Sequence, residues 1–241
     1  MKFTILTLFP EAFSGYLGSS IFGKAAADGR VSVELIDFRT FATDSHRTCD
    51  DAPYGGGPGM LLKPEPLFGA LESVKARCKR VVLTSPSGSR FDQAYARRLA
   101  QLREIVVVCG HYEGVDQRVI DRYVSDEVSI GDYVLFSGEV AAMVLMDAVT
   151  RLVGIVKQNS LLEESFENGL LEYPQYTRPW RIEDMEVPHV LRSGNHALIR
   201  KWRLRKSLEK TRAVRPDLLA SRELSDEERT LLESRPEDRR R

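Results

Sequence analysis

The stretch Glu104-Ile105-Val106-Val107-Val108-Cys109-Gly110-His111-Tyr112-Glu113-Gly114 decides how the chain folds. An apolar, β-branched run that closes on a glycine-bounded turn reads as a strand ending in a loop. Working outward, similar runs stand at Phe3-Phe9, Val31-Asp37 and Arg80-Leu83. Helical patterns lie between and after them, at Pro64 to Cys78, Phe91 to Leu102, Val115 to Tyr123 and Ser137 to Val153. The last draws apolar surface from Val140, Val144, Met146, Ala148, Val149 and Leu152. Alternation of strand and helix predicts an α/β domain with a mainly parallel sheet over residues 1–156. The span 157–173 is polar and glycine-punctuated and is expected to be a flexible interdomain linker. Residues 174–241 are expected to form a small helical domain. Its best helix runs from Asn195 to Thr211, with a weaker one beyond Ser221.

The chain has 241 residues, 42% hydrophobic, which suits a main domain with a small appendage rather than disorder. Thirty-five basic residues cancel 35 acidic ones, so the distribution of charge matters more than its sum. One stretch stands out. Between Arg192 and Arg215 the basic residues include Arg200, Lys201 and Arg203, and Glu209 alone opposes them in that span. Three widely spaced cysteines, Cys49, Cys78 and Cys109, make neither a disulfide framework nor a metal clip, which points to a reducing compartment and a cytoplasmic location. The opening apolar run is too short for a signal peptide, and no run is long enough to span a bilayer.

Four loops could carry chemistry. Pro53-Tyr54-Gly55-Gly56-Gly57-Pro58-Gly59-Met60 packs four glycines and two prolines into eight residues beside Asp50 and Asp51. Glycines permit close approach of a ligand and prolines limit how floppy the loop is, yet the Walker lysine and the GxGxxG spacing are both missing. Read from composition alone, it is an ordinary tight loop before it is a binding surface. Leu83-Thr84-Ser85-Pro86, Cys109 to Gly114, and Ser129 to Leu135 all fall at or just beyond the carboxyl ends of strands, the edge at which open α/β sheets bind ligands. Each is singly a plain strand-to-loop turn; three around one edge define a candidate pocket. His46, His189 and His196 show no metal-ligand spacing.

The strings PYGGGPGM, VVCGHYEGVDQR, SIGDYVL, DAVTRLVG, LLEYPQYTRP and VPHVLRSGNHALIRKWR, in this order, resemble the bacterial tRNA (guanine-N1)-methyltransferases that act at tRNA position 37, members of the SPOUT superfamily. The likeness runs from the first strand to about Pro216. It implies a SPOUT-type fold with a deep trefoil knot towards the end of the first domain, a homodimer whose active sites are shared between subunits, and S-adenosylmethionine as methyl donor. The matching positions for the cofactor are Thr84, Ser85, Pro86, Gly110, Tyr112, Glu113, Gly114, Ile130, Gly131, Asp132, Tyr133, Val134, Leu135 and Gly138. For the tRNA they are Asp50, Tyr54, Gly55, Gly56, Gly57 and Gly59 around the flipped guanine, and Arg200, Lys201 and Arg203 on the phosphates. No metal is demanded, and magnesium is not inferable from these residues.

Methylation of guanine N1 needs a base to take the N1 proton and a cation or donor where negative charge grows on the purine. The resemblance places the base just before the SF dipeptide, at Glu164 in Glu163-Glu164-Ser165-Phe166, where the family usually has aspartate. It places a functional arginine at Arg151. From residue type alone, Glu163, Glu164 and Glu167 are solvated linker charges and Arg151 a snorkelling surface arginine. Two further departures are His111, where many relatives carry arginine, and Ser137, which replaces a glycine of the usual GGE turn. Two other readings stand beside this one: a SPOUT enzyme acting on ribose or ribosomal RNA, and an RNA-binding homologue with weakened activity.

Overall fold

The structure is a computed structural model and describes residues 1–155 and 164–234. The chain divides into two compact units, Met1–Val156 and Lys157–Arg241.

In the first unit the strands are β1 (Lys2–Thr7), β2 (Ser32–Asp37), β3 (Asp50–Asp51), β4 (Leu61–Leu62), β5 (Arg80–Arg90), β6 (Glu104–Cys109) and β7 (Asp126–Ser129). Five of them form one sheet in the order β2-β1-β6-β5-β7, with every pairing parallel. Strand alternation then sorts the apolar residues into two cores. Phe3, Ile5, Val82, Ile105, Val107 and Val128 meet the helices Gln93–Ala100 and Glu139–Thr150 on one side. Leu6, Val81, Leu83, Val106 and Val108 meet Pro64–Ser73 and Gln117–Tyr123 on the other. A fully buried Val, Leu or Ile contributes about 1.5–3 kcal/mol, so this double-sided burial is what fixes the sheet.

Local signals set the helix ends. Asp92 accepts from the Tyr95 amide at 2.7 Å, and Asp116 from the Arg118 amide at 2.9 Å. The helix expected from Pro64 to Cys78 stops at Ser73, because Lys75 takes a left-handed conformation (φ 54°) and a 3-10 turn, Ala76–Cys78, follows. Short helices at Ser14–Leu17 and Ser20–Ala27 carry no expectation from sequence. Neither does β7.

The second unit contains the hairpin β8 (Arg181–Ile182) and β9 (Met185–Glu186) and the helices His189–Arg192, His196–Val214, Pro216–Ala220 and Asp226–Glu233. Leu208, Leu231 and Leu170 form its core. Ser225 and Glu228 form a capping box that starts the last helix. Leu170 lies in the span expected to be an interdomain linker. The Leu171 amide donates to Thr211 Oγ1 of the helix His196–Val214 at 2.8 Å, and within the segment the Glu172 amide donates to Ser165 Oγ at 2.9 Å. Residues 157–163 lie outside the described residues.

Candidate active site

Because the pairings are parallel, the carboxyl ends of β6, β5 and β7 lie side by side on one edge. The loops that leave them enclose a cavity of about 480 Å³. Its walls include Thr84, Ser85 and Pro86 where β5 bulges, Gly110, Tyr112, Glu113 and Gly114 after β6, and Ile130, Gly131, Tyr133, Val134, Leu135 and Gly138 after β7. Asp132, expected among them, does not line the cavity: its neighbours Gly131 and Tyr133 do, while its own side chain is exposed.

The floor is built by close approach of main chain. The Gly138 amide donates to the Gly110 carbonyl at 2.8 Å, while Thr84 Oγ1 lies 3.3 Å from both the Gly138 carbonyl oxygen and the Gly110 nitrogen. A Cβ at Gly138 would stand 2.1 Å from Thr84 Oγ1 and 2.6 Å from the Gly110 nitrogen. The glycine that the turn requires is therefore Gly138. Ser137, the departure from the GGE pattern, sits in an antiparallel bridge with His111, a position that admits a side chain.

His111 has a definite structural place. Its Nδ1 lies 3.2 Å from the Phe136 carbonyl oxygen, its ring stacks on Tyr112 at 4.5 Å, and Phe9 meets it edge-on at 5.2 Å. The imidazole thus clasps the loop after β6 to the loop after β7.

The glycine-rich loop is the tip of the β3–β4 hairpin, and its base is tied to the same pocket. The Glu113 amide donates to the Met60 carbonyl at 3.0 Å, and the Leu62 amide to the Gly114 carbonyl at 2.9 Å. Gly55, Gly56, Gly57 and Gly59 all have positive φ, and Tyr54 at the tip is fully exposed. Burial, together with the Asp50 carboxylate, raises the Tyr112 hydroxyl above the usual tyrosine range. An expected substrate contact, Asp50, and an expected cofactor contact, Tyr112, are therefore neighbours.

Several lining residues carry no expectation from the sequence, among them Gln117, Glu127, Phe136 and Ala141. Glu127 lies on β7 and becomes visible only once that strand is placed. Behind the floor, Glu139 is 3% exposed and opens the helix Glu139–Thr150. Thr7 Oγ1 donates to its Oε1 at 2.6 Å and accepts from the Phe9 amide at 2.9 Å. Burial and then the Glu139 charge push the adjacent Cys109 thiol well above its ordinary range.

Arg151 follows that helix and begins the turn Arg151–Ile155, in the first unit. Glu164 belongs to the second unit, where it lines a separate cavity of about 440 Å³ with Tyr173, His196, Arg200 and Arg203. The basic helix carries less free charge than its sequence implies. Arg200 pairs with Glu227 at 2.8 Å, Arg205 and Lys206 each pair with Glu209 at 2.9 Å, and Arg215 pairs with Asp217 at 2.6 Å. Arg203 is half-buried over the Tyr173 ring at 4.8 Å, whereas Lys201 is exposed. Among the described residues, no group of three His, Cys, Asp or Glu is placed to hold a metal ion.

A parallel α/β sheet with a cavity at the carboxyl edge of its strands is the arrangement in which open sheets place a ligand site. The sequence matches, over residues 1–221, the family described as tRNA (Guanine-1)-methyltransferase TrmD. A tRNA (guanine-N(1)-)-methyltransferase of Treponema pallidum is 56% identical over 222 residues, 92% of this chain and 89% of that protein. The enzyme of the same name from Geobacter sulfurreducens is 54% identical over 236 residues, 96% of each chain. That of Treponema denticola is 54% identical over 220 residues, 91% of this chain and 90% of that protein. The chain belongs to the TrmD family.

Proposed function

We propose that this protein is a cytoplasmic tRNA methyltransferase that moves a methyl group from S-adenosylmethionine to N1 of the guanine at tRNA position 37. The observation that carries the reading is the cavity at the sheet edge, in which 13 of the 14 residues expected to hold the cofactor meet although three separate stretches of chain supply them. A volume of about 480 Å³ suits a nucleoside-sized ligand. The small residues of the floor leave backbone groups within reach of an adenosine, so the residues present fit this donor. When bound, the donor supplies an electrophilic methyl group on a sulfonium sulfur.

The rest falls to side chains of this protein. Glu164 accepts the N1 proton, so that the nitrogen lone pair is free to attack in line. Arg151 stabilises the negative charge that grows on the purine, or orients the carboxylate. The glycine loop, joined to Glu113 and Gly114, floors the pocket for a guanine flipped from the anticodon-loop stack. Lys201, Arg200 and Arg203 meet tRNA phosphates, a salt-dependent term that orients the RNA.

Two architectural features belong to the same proposal. The close passage of Gly138 over Thr84 and Gly110 supports a knotted path for the chain. The exposed apolar side chains Val134, Phe136, Val140 and Val144 support a homodimer that covers them and completes the site with a second subunit. No step calls for a metal.

Single-turnover kinetics on Glu164→Ala, Arg151→Ala and Glu163→Ala test the assignment. Glu164→Ala and Arg151→Ala should each lower the methyl-transfer rate by at least about 100-fold with donor affinity kept, a usual size for loss of a general base or a charge-stabilising group. Glu163→Ala should stay near wild type. Near-normal turnover by Glu164→Ala removes Glu164 from the role.

A further inference from the structure

Among the described residues that line the sheet-edge cavity, the charged ones are Glu113 and Glu127, and none is lysine or arginine. A third acidic side chain, Glu139, lies directly behind the floor. It follows Gly138 in the chain and precedes Ala141, both of which line the cavity. It is 3% exposed, its Oε1 is held by Thr7 at 2.6 Å, and its Oε2 is buried with no hydrogen-bond partner among the described residues. A pocket built only to cradle a nucleoside through main-chain groups has no need of this surplus of negative charge. Nucleotide sites, which hold phosphates, carry the opposite sign.

We infer that Glu127 and Glu139 set the cavity's preference for a cationic ligand, and so make it discriminate the sulfonium donor from the uncharged thioether that remains after transfer. The inference rests on the reading of this cavity as the S-adenosylmethionine site. In the transfer the bond from sulfur to the methyl carbon breaks, its electron pair stays on sulfur, and the methyl carbon bonds to guanine N1, whose proton passes to Glu164. Sulfur thereby loses its positive charge. Adenosine, ammonium and carboxylate are the same in donor and product, so any difference in affinity between the two isolates the sulfur charge and the methyl group. Inside a protein, where the effective dielectric constant is about 20, two unit charges on the order of 10 Å apart interact strongly enough to change an equilibrium roughly tenfold. The physical consequence is exchange: a site that holds the cation better than the neutral product releases the product to the next donor molecule. Glu127 and Glu139 are specificity residues in this scheme. Glu139 acts through its charge from behind the floor, without touching the ligand.

Calorimetric titration of the full-length protein with S-adenosylmethionine and with S-adenosylhomocysteine tests this, for wild type, Glu127→Gln, Glu139→Gln and Thr7→Val. Glutamine keeps the shape of each side chain and, at Glu139, an oxygen that can accept from Thr7. Each Gln variant should raise the donor Kd by about tenfold and leave the product Kd within about twofold, so the ratio of the two constants moves. Thr7→Val, which removes the hydrogen bond but no charge, should leave the ratio unchanged. A parallel rise in both constants, or no change in the Glu127→Gln and Glu139→Gln ratios, overturns the inference and leaves the cofactor assignment standing. Should Glu139→Gln fail to fold, Glu127→Gln decides alone. Failure of the wild type to bind either ligand overturns both.

Discussion

Gly59 lies so close to Glu113 that a Cβ on the glycine would stand 2.3 Å from the glutamate Cγ, and its φ of 78° is one that other residues adopt only under strain. This contact joins the tip of the β3–β4 hairpin to the loop after β6. The place proposed for the guanine and the place proposed for its methyl donor are thus parts of one packed arrangement. Gly59→Ala should weaken both ligands: the strained backbone alone costs about 1–3 kcal/mol, and the displaced Glu113 disturbs the cavity wall. Equilibrium binding should show the donor Kd and the tRNA Kd both raised by about tenfold or more. An unchanged donor Kd would mean that the two loops do not act together.

Gly138 and Ser137 should behave oppositely. Gly138→Ala drives a methyl group into Thr84 Oγ1 and the Gly110 amide and should raise the donor Kd by roughly tenfold to 100-fold, since overpacking of this kind costs about 1–3 kcal/mol. Ser137→Gly, which restores the commoner family residue, should leave the donor Kd within about twofold. Calorimetry on the two variants checks both.

Glu104 links β6 to its surroundings through Lys79 at 2.8 Å and Lys2 at 3.5 Å. The hydrogen bond from Lys79, aided by the charges of both lysines against a smaller opposing effect of burial, holds its carboxyl below the usual glutamate range. A depressed carboxylate gives its stability at pH values above the unfolded-state pKa and loses it as pH falls through the folded one. Unfolding by denaturant should therefore show Glu104→Gln less stable than wild type by up to about 1 kcal/mol at neutral pH, with the gap closing below about pH 4.

What the sequence made legible followed from burial. The cores of β1 and β6 and the front half of β5 are near-continuous buried runs because both faces of the sheet are covered there, and such runs need no partner to be recognised. β7 escaped because Asp126-Glu127-Val128-Ser129 has only two buried positions and two acidic ones, which resemble a loop. The return of β5 from Ser85 to Arg90 escaped for a related reason. The chain bulges between Thr84 and Ser89, so that Val128 is opposite both, and no period of two survives such a bulge.

The site divides in the same way. A place at or just beyond an apolar run, and glycines in two of the three, marked the segments proposed to hold the cofactor. That the glycine-rich loop belonged with them depended on two-residue strands, Asp50–Asp51 and Leu61–Leu62, too short to leave a pattern. The ion pairs of the basic stretch are hidden in the sequence because Glu227 and Asp217, the partners of Arg200 and Arg215, lie outside it, Glu227 well beyond it in the chain. Glu139 could be found only in three dimensions, since Thr7 is 132 residues away.

Incubation of purified protein with S-adenosylmethionine carrying a labelled methyl group and a tRNA with guanine at position 37, followed by mass spectrometry of the released nucleosides, addresses the chemistry most directly. The label should appear on N1 of guanine and be absent from an otherwise identical tRNA with adenine at that position. Label on ribose, or no label on the nucleobase, contradicts the assignment.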